Sequence, residues 1–177
     1  MIRISRAIVS TPLGEMMALA SDTGLCALEF TGPRKRLPRL EARLKRWFPP
    51  HEIVDRRAPL ITQTREWLAA YFKGAAADVG NLPIEMHGAP FEQIVWRALL
   101  RIPAGETRSY GAIAKEVGSP DAARAVGAAN GANPIAIIVP CHRVIGSNGT
   151  LTGYGGGLNR KSWLLDHERR WRTDQLF

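Results

Sequence analysis

A break in periodicity around residues 80–90 constrains the fold of this 177-residue chain more than any other feature. That stretch carries Pro83, Gly88 and Pro90 and no sustained apolar repeat, as a boundary does. It leaves two segments of roughly 90 residues, each large enough for a small core. Before the break, apolar runs at residues 2–10, 15–21 and 25–30 alternate with turn sequences. Those turns, Thr11-Pro12-Leu13-Gly14 and Ser21-Asp22-Thr23-Gly24, predict an antiparallel meander. Leu40, Leu44, Trp47 and Phe48 then fall at helical spacing, stopped by Pro49-Pro50. A second amphipathic helix is predicted over residues 59–72. After the break the pattern is helical. Pro90 opens a helix with Phe91, Ile94, Val95, Ala98 and Leu99 on one face, and Ile102-Pro103-Ala104-Gly105 ends it. Helices at 107–117 and 122–130 flank the turn Gly118-Ser119-Pro120-Asp121, a helix-turn-helix pattern. The expected class is α+β: an α/β domain over 1–80, a linker over 81–89, and a mostly helical domain over 90–177.

Charge narrows the partners. Twenty-four Lys and Arg against sixteen Asp and Glu give +8, which favours polyanions, nucleic acid first. Arg34-Lys35-Arg36 reads as a solvated basic loop. No apolar run is long enough to span a membrane, and the first residues lack the apolar core of a signal peptide. A cytoplasmic protein with no membrane partner is therefore expected. Its two cysteines, Cys26 and Cys141, are expected to be thiols in a reducing compartment.

Two segments carry chemistry. Residues 122–132 are almost all Ala and Gly, with the one large cation Arg124. Small residues suit tight packing on neighbouring helices; they also suit entry into a narrow groove, with Arg124 free to replace a base. The second segment is the β-branched run 135–139, expected as a buried strand, which leads into Pro140-Cys141-His142-Arg143-Val144. A lone cysteine is ordinarily a small buried hydrophobe. Here an imidazole and a guanidinium follow it at once, and Gly153, Gly155, Gly156 and Gly157 lie downstream. Thiolate is the nucleophile, so a base or positive charge is what such a site needs. Strand neighbours face opposite ways, so His142 is expected to act on Cys141 through a water, with Glu168 as the group that orients it.

Pro140-Cys141-His142-Arg143-Val144 resembles the active-site signature of the O6-alkylguanine-DNA alkyltransferases, also called methylated-DNA–protein-cysteine methyltransferases. Arg124-Ala125-Val126-Gly127, Asn133-Pro134, Gly153-Tyr154-Gly155-Gly156-Gly157 and the 161–168 segment follow the same family order, so the resemblance spans residues 89–168. It implies a ribonuclease-H-like first domain and a winged-helix-like second one. It further implies direct-reversal repair in which a flipped O6-alkylguanine, with O4-alkylthymine as a further substrate, gives its alkyl group to Cys141 once. His142 would be the base and Glu168 its support, Tyr110 the proton donor, and Asn133 the brace of the active-site turn. Ala123, Arg124, Ala125, Gly127 and Tyr110 would meet the minor groove of double-stranded DNA. Val144, Leu151, Tyr154, Gly155 and Gly156 would wall the base pocket.

No cofactor is implied, and the protein would be monomeric in solution, with several copies able to bind along DNA. Some family members hold zinc in the first domain; here Cys26, His51 and His87 are far apart in sequence, so no metal is expected. Gly155 stands where some relatives have serine, removing one hydrogen bond to the base. A non-reacting binder of the same fold lacks the cysteine, a cysteine hydrolase needs no recognition helix, and a plain regulator leaves Pro140-Cys141-His142-Arg143 unexplained.

Overall fold

The computed structural model describes residues 1–33, 36–75 and 81–174. Its contacts divide the chain into Met1–His87 and Gly88–Phe177. Gly80, Arg34 and Lys35 lie outside the described residues.

The first unit is built on the predicted meander. Strands β1 (Ile2–Thr11), β2 (Gly14–Ala20) and β3 (Leu25–Phe30) pair antiparallel through Ser5↔Ala20 and Ala18↔Leu28. A fourth strand, β4 (His51–Val54), adds parallel to β1, completing the order β3-β2-β1-β4. Four residues with a polar start carry no period to betray a strand; β4 exists because β1 offers it an edge. Helix α1 (Arg36–Trp47) sets Leu40 and Leu44 against Ile4, Leu19 and Ala27. Helix α2 (Pro59–Phe72) packs across β1, β2 and β3. With helices to face, β3 is buried at every position.

Two expectations in this unit change. Arg36 is not part of a solvated loop: it opens α1 and grips the buried Glu29 carboxylate with two bonds of 2.9 Å. Residues 82–87, expected within a linker, are joined to the sheet. Leu25 N–H donates to Pro83 O at 2.9 Å and Glu85 N–H to Leu25 O at 2.8 Å, while Leu82 is buried.

The second unit is helical. Helix α3 (Pro90–Leu99) has Pro90 at its first turn, and the Glu92 carboxylate accepts the Ala89 N–H at 2.9 Å. Trp96 is fully buried and donates its indole N–H to Ala129 O at 2.8 Å. The helix expected at 107–117 is shorter, because Arg108–Ser109 form strand β5 and the Ser109 hydroxyl caps helix α4 (Tyr110–Glu116). Helix α5 (Ala123–Gly131) follows, keeping the helix-turn-helix. Strand β6 (Val144–Ile145) pairs parallel with β5, and helix α6 (Leu158–Asp174) closes the unit. Lys161, Leu164, Leu165, Glu168 and Trp171 form its buried face at helical spacing.

Candidate active site

The run 135–139 is buried throughout, but it is not a strand. It folds as tight turns: Ile138 N–H donates to Ala136 O at 2.8 Å, and Val139 N–H to Ile135 O at 3.0 Å. Ile137, at the centre of the first, has φ +70, a conformation that is sterically costly for a β-branched residue. Asn133 supplies what a neighbouring strand would have given. Its amide donates to Val139 O at 2.8 Å and Ile135 O at 3.4 Å, while its oxygen accepts Ile135 N–H at 3.0 Å. An apolar β-branched run reports burial; only a pairing partner makes it a strand.

Pro140, with φ −84 and ψ 63, forms an inverse γ-turn closed by Cys141 N–H on Val139 O at 2.8 Å. Cys141–Arg143 then make one 3₁₀ turn rather than the end of a strand. Successive side chains on such a turn diverge by about 120° instead of opposing each other. Cys141 is 6% exposed and His142 fully buried.

Glu168 joins His142 to two further groups. Its Oε1 lies 2.7 Å from His142 Nε2, and Arg143 clasps the same carboxylate at 2.9 and 2.8 Å. Gly105 N–H adds a bond of 3.3 Å. Burial alone would raise the Glu168 pKa, but His142 and Arg143 together hold it well below the usual carboxylate range. An ionised carboxylate only accepts, so His142 Nε2 carries the hydrogen. Burial holds His142 below its ordinary value despite the pull of Glu168, with Arg143 and Lys161 adding to the depression, so the imidazole is neutral at pH 7. His142 Nδ1, equally buried, has no hydrogen-bond partner among the described residues.

The remaining expected residues fall in three places. Tyr110 donates its O–H to Thr152 O at 3.1 Å, and its ring stands over Gly127, where an added Cβ would lie 3.8 Å from Tyr110 Cδ1. The β5–β6 pairing is what sets Tyr110 beside the segment carrying Cys141. The Tyr154 ring meets His142 edge-on at 6.5 Å, Val144 is buried directly after the 3₁₀ turn, and Leu151, Gly155 and Gly156 form the half-buried loop between β6 and α6. Along α5, Arg124 and Ala125 are exposed and Ala123 and Gly127 half-buried; Arg124 makes no hydrogen bond or ion pair with a described residue.

Three site side chains had no role assigned from sequence. Arg143 anchors Glu168 and also donates to Ile102 O at 2.6 Å. Lys161, fully buried, donates to Val144 O at 2.6 Å and Thr152 O at 2.8 Å, tying the loop to β6. Asn130, the polar residue on the buried face of an otherwise small-residue helix, donates to Cys141 O at 3.2 Å. For Lys161 and Asn130 the available signal was a polar side chain on a helix; for Arg143 it was the cation set two residues after the cysteine.

In the first unit, Cys26 is sealed in the core and donates to Leu19 O at 3.2 Å. Burial pushes its thiol up to about 12. His51 bonds Phe48 O at 2.6 Å, and His87 bonds Glu85 at 2.6 Å while stacking on Trp47.

Fold and site define a class: a two-unit α+β protein whose helix-turn-helix unit holds a buried cysteine beside a His–Glu pair. Residues 4–86 match the model of the 6-O-methylguanine DNA methyltransferase ribonuclease-like domain, and residues 90–170 that of the DNA binding domain of the same proteins. The chain belongs to the methylated-DNA–protein-cysteine methyltransferase family. It is 45% identical to the Salmonella typhimurium protein of that name over 169 residues, 95% of this chain and 97% of that one. It is 61% identical to the Mycolicibacterium paratuberculosis protein over 105 residues, 59% of this chain and 63% of the other. Among solved structures it resembles Mycobacterium tuberculosis OGT in complex with DNA, at 40% identity and a TM-score of 0.78 over 96% of this chain and 94% of that one.

Proposed function

We infer that this chain repairs DNA by direct reversal, moving the alkyl group of O6-alkylguanine in duplex DNA onto Cys141. The observation that carries the reading is the arrangement at His142. One ring nitrogen is fixed by Glu168, and the other is left as a buried acceptor beside a cysteine. The family match over both units supports the same assignment.

In this reading the Cys141 thiol proton passes through a bridging water to His142 Nδ1, and Glu168 stabilises the imidazolium that forms. Sulfur attacks the alkyl carbon; the S–C bond forms as the C–O6 bond breaks, its electron pair going to O6. Tyr110, whose O–H donates to Thr152 O in this structure, protonates the purine, and the proton held by His142 restores the tyrosine. The net movement is one proton from thiol to guanine. A thioether has no easy return, so each chain acts once. Asn133 holds the turn from which Cys141 projects, and Val144, Leu151, Tyr154, Gly155 and Gly156 wall the base. The same pocket accepts O4-alkylthymine.

Helix α5 is the groove-facing element. Its Ala and Gly side chains allow close approach to the minor groove, and the exposed Arg124 fills the space of the flipped base. The protein acts as a cytoplasmic monomer that can sit in several copies along DNA. The test is a duplex carrying one radiolabelled O6-methylguanine, mixed with the protein and no cofactor. Label should move to protein and saturate at one methyl per chain; label that stays in DNA overturns the reading.

A further inference from the structure

The first unit contains a cleft of about 520 Å³ that the alkyl transfer does not use. Four arginines line it, Arg6, Arg56, Arg57 and Arg65, with Asp55 the one acidic residue of the lining. Three of the four are held in place by the protein. Arg6 is clamped by Asp55 at 2.8 and 2.9 Å, and Arg56 by Ser5 Oγ at 3.0 Å and Asp22 at 3.1 Å. Arg65 donates one nitrogen to Ile8 O at 3.1 Å. A guanidinium has five N–H donors, and these bonds use one or two of each, so every arginine keeps donors for another acceptor. Arg57 is exposed and makes no bond with a described residue. Thr62, in the first turn of α2, lines the same cleft.

Arginines gathered around one cleft, three of them held in place, favour an anion with several oxygens, because planar N–H pairs match a phosphate two at a time. We propose that this cleft is a phosphate-binding site, and that its occupant is a backbone phosphate of duplex DNA. Two sources share that chemistry, the DNA backbone and small phosphate-bearing molecules. DNA is favoured because the chain's family binds it, and because the +8 excess is not confined to the helix-turn-helix unit. The choice of DNA rests on the repair reading; the oxyanion site does not.

The test uses the full chain, labelled for NMR, titrated separately with inorganic phosphate and with an undamaged duplex. Beside it, binding to that duplex is measured against salt for wild type, Arg57→Gln and Arg57→Gln/Arg65→Gln. These substitutions spare the clamped Arg6 and Arg56, and transfer from free O6-benzylguanine should be unchanged, as a check that the variants are folded. Both titrants should shift the amides of residues 56–58 and 60–62, and the log–log salt slope of duplex binding should shrink by about 0.9 for each phosphate that the variant no longer neutralises. Shifts with inorganic phosphate but an unaltered duplex slope would overturn DNA as the occupant. Amides silent to both titrants would overturn the site, and a failed repair assay with these shifts intact would overturn only the repair reading.

Discussion

His142 Nε2 lies 2.7 Å from Glu168 Oε1, and both side chains are wholly withdrawn from solvent. The relationship fixes the imidazole tautomer and leaves Nδ1 as the acceptor. The same carboxylate also neutralises Arg143, so it serves two cations at once if His142 gains a proton. A full positive charge on His142 is therefore stabilised only in part, which suits a base that holds its proton briefly.

Glu168→Gln should slow transfer at pH 7 by about a hundred-fold, the low end of what a positioned base contributes. Part of the loss should return as pH approaches the free thiol value of about 8.5. Because the substitution also leaves Arg143 without its counter-charge, stability should fall by about 3 kcal/mol. Adding Arg143→Gln should restore melting temperature without restoring rate. Single-turnover rates from pH 6 to 9, set beside melting curves, separate the two effects.

Stability itself should fall with acid. Glu168 titrates below the normal range in the folded chain, so its contribution is complete above about pH 4.3 and is lost as pH drops further. His142 is likewise depressed by burial, so below about pH 6.5 the unfolded chain takes up a proton that the folded chain refuses. Melting temperature should decline below about pH 6.5 and more steeply below about pH 4.3. His142→Asn should flatten the upper part of that decline.

Arg124→Ala should slow repair of duplex DNA while leaving reaction with free O6-benzylguanine unchanged. Extruding a base costs a few kcal/mol, and only the duplex substrate needs it. Comparing the two rates checks this; equal losses would make Arg124 a structural residue.

Helices α1, α2 and α3 and the first three strands were legible because apolar periods mark them in the sequence. Helix α2 at Pro59–Phe72 and helix α3 at Pro90–Leu99 begin at prolines and end where the period ends. The site was legible as a motif but not as geometry. The 135–139 run reads as strand since burial and strand share one composition, and the deciding fact is that Asn133 satisfies the backbone instead. Nor could the sequence show that Arg143 shares Glu168 or that Asn130 reaches the Cys141 carbonyl, for both depend on bonds between separated segments.

Gly88→Ala should destabilise the second unit by about 1–3 kcal/mol, a typical cost of overpacking. A Cβ there would lie 2.5 Å from Trp96 Cη2, against a buried ring already fixed by Ala129. Denaturant unfolding measures the loss.

The identity of the acceptor is the central claim, and peptide mapping by mass spectrometry after reaction with O6-methylguanine duplex tests it most directly. One methyl should appear on the Cys141 peptide and none on the Cys26 peptide, whose thiol stays protonated in the core. Cys141→Ser should bind the duplex yet carry no methyl, while Cys26→Ser should behave as wild type. A methyl on Cys26, or methyl uptake by Cys141→Ser, would contradict the account.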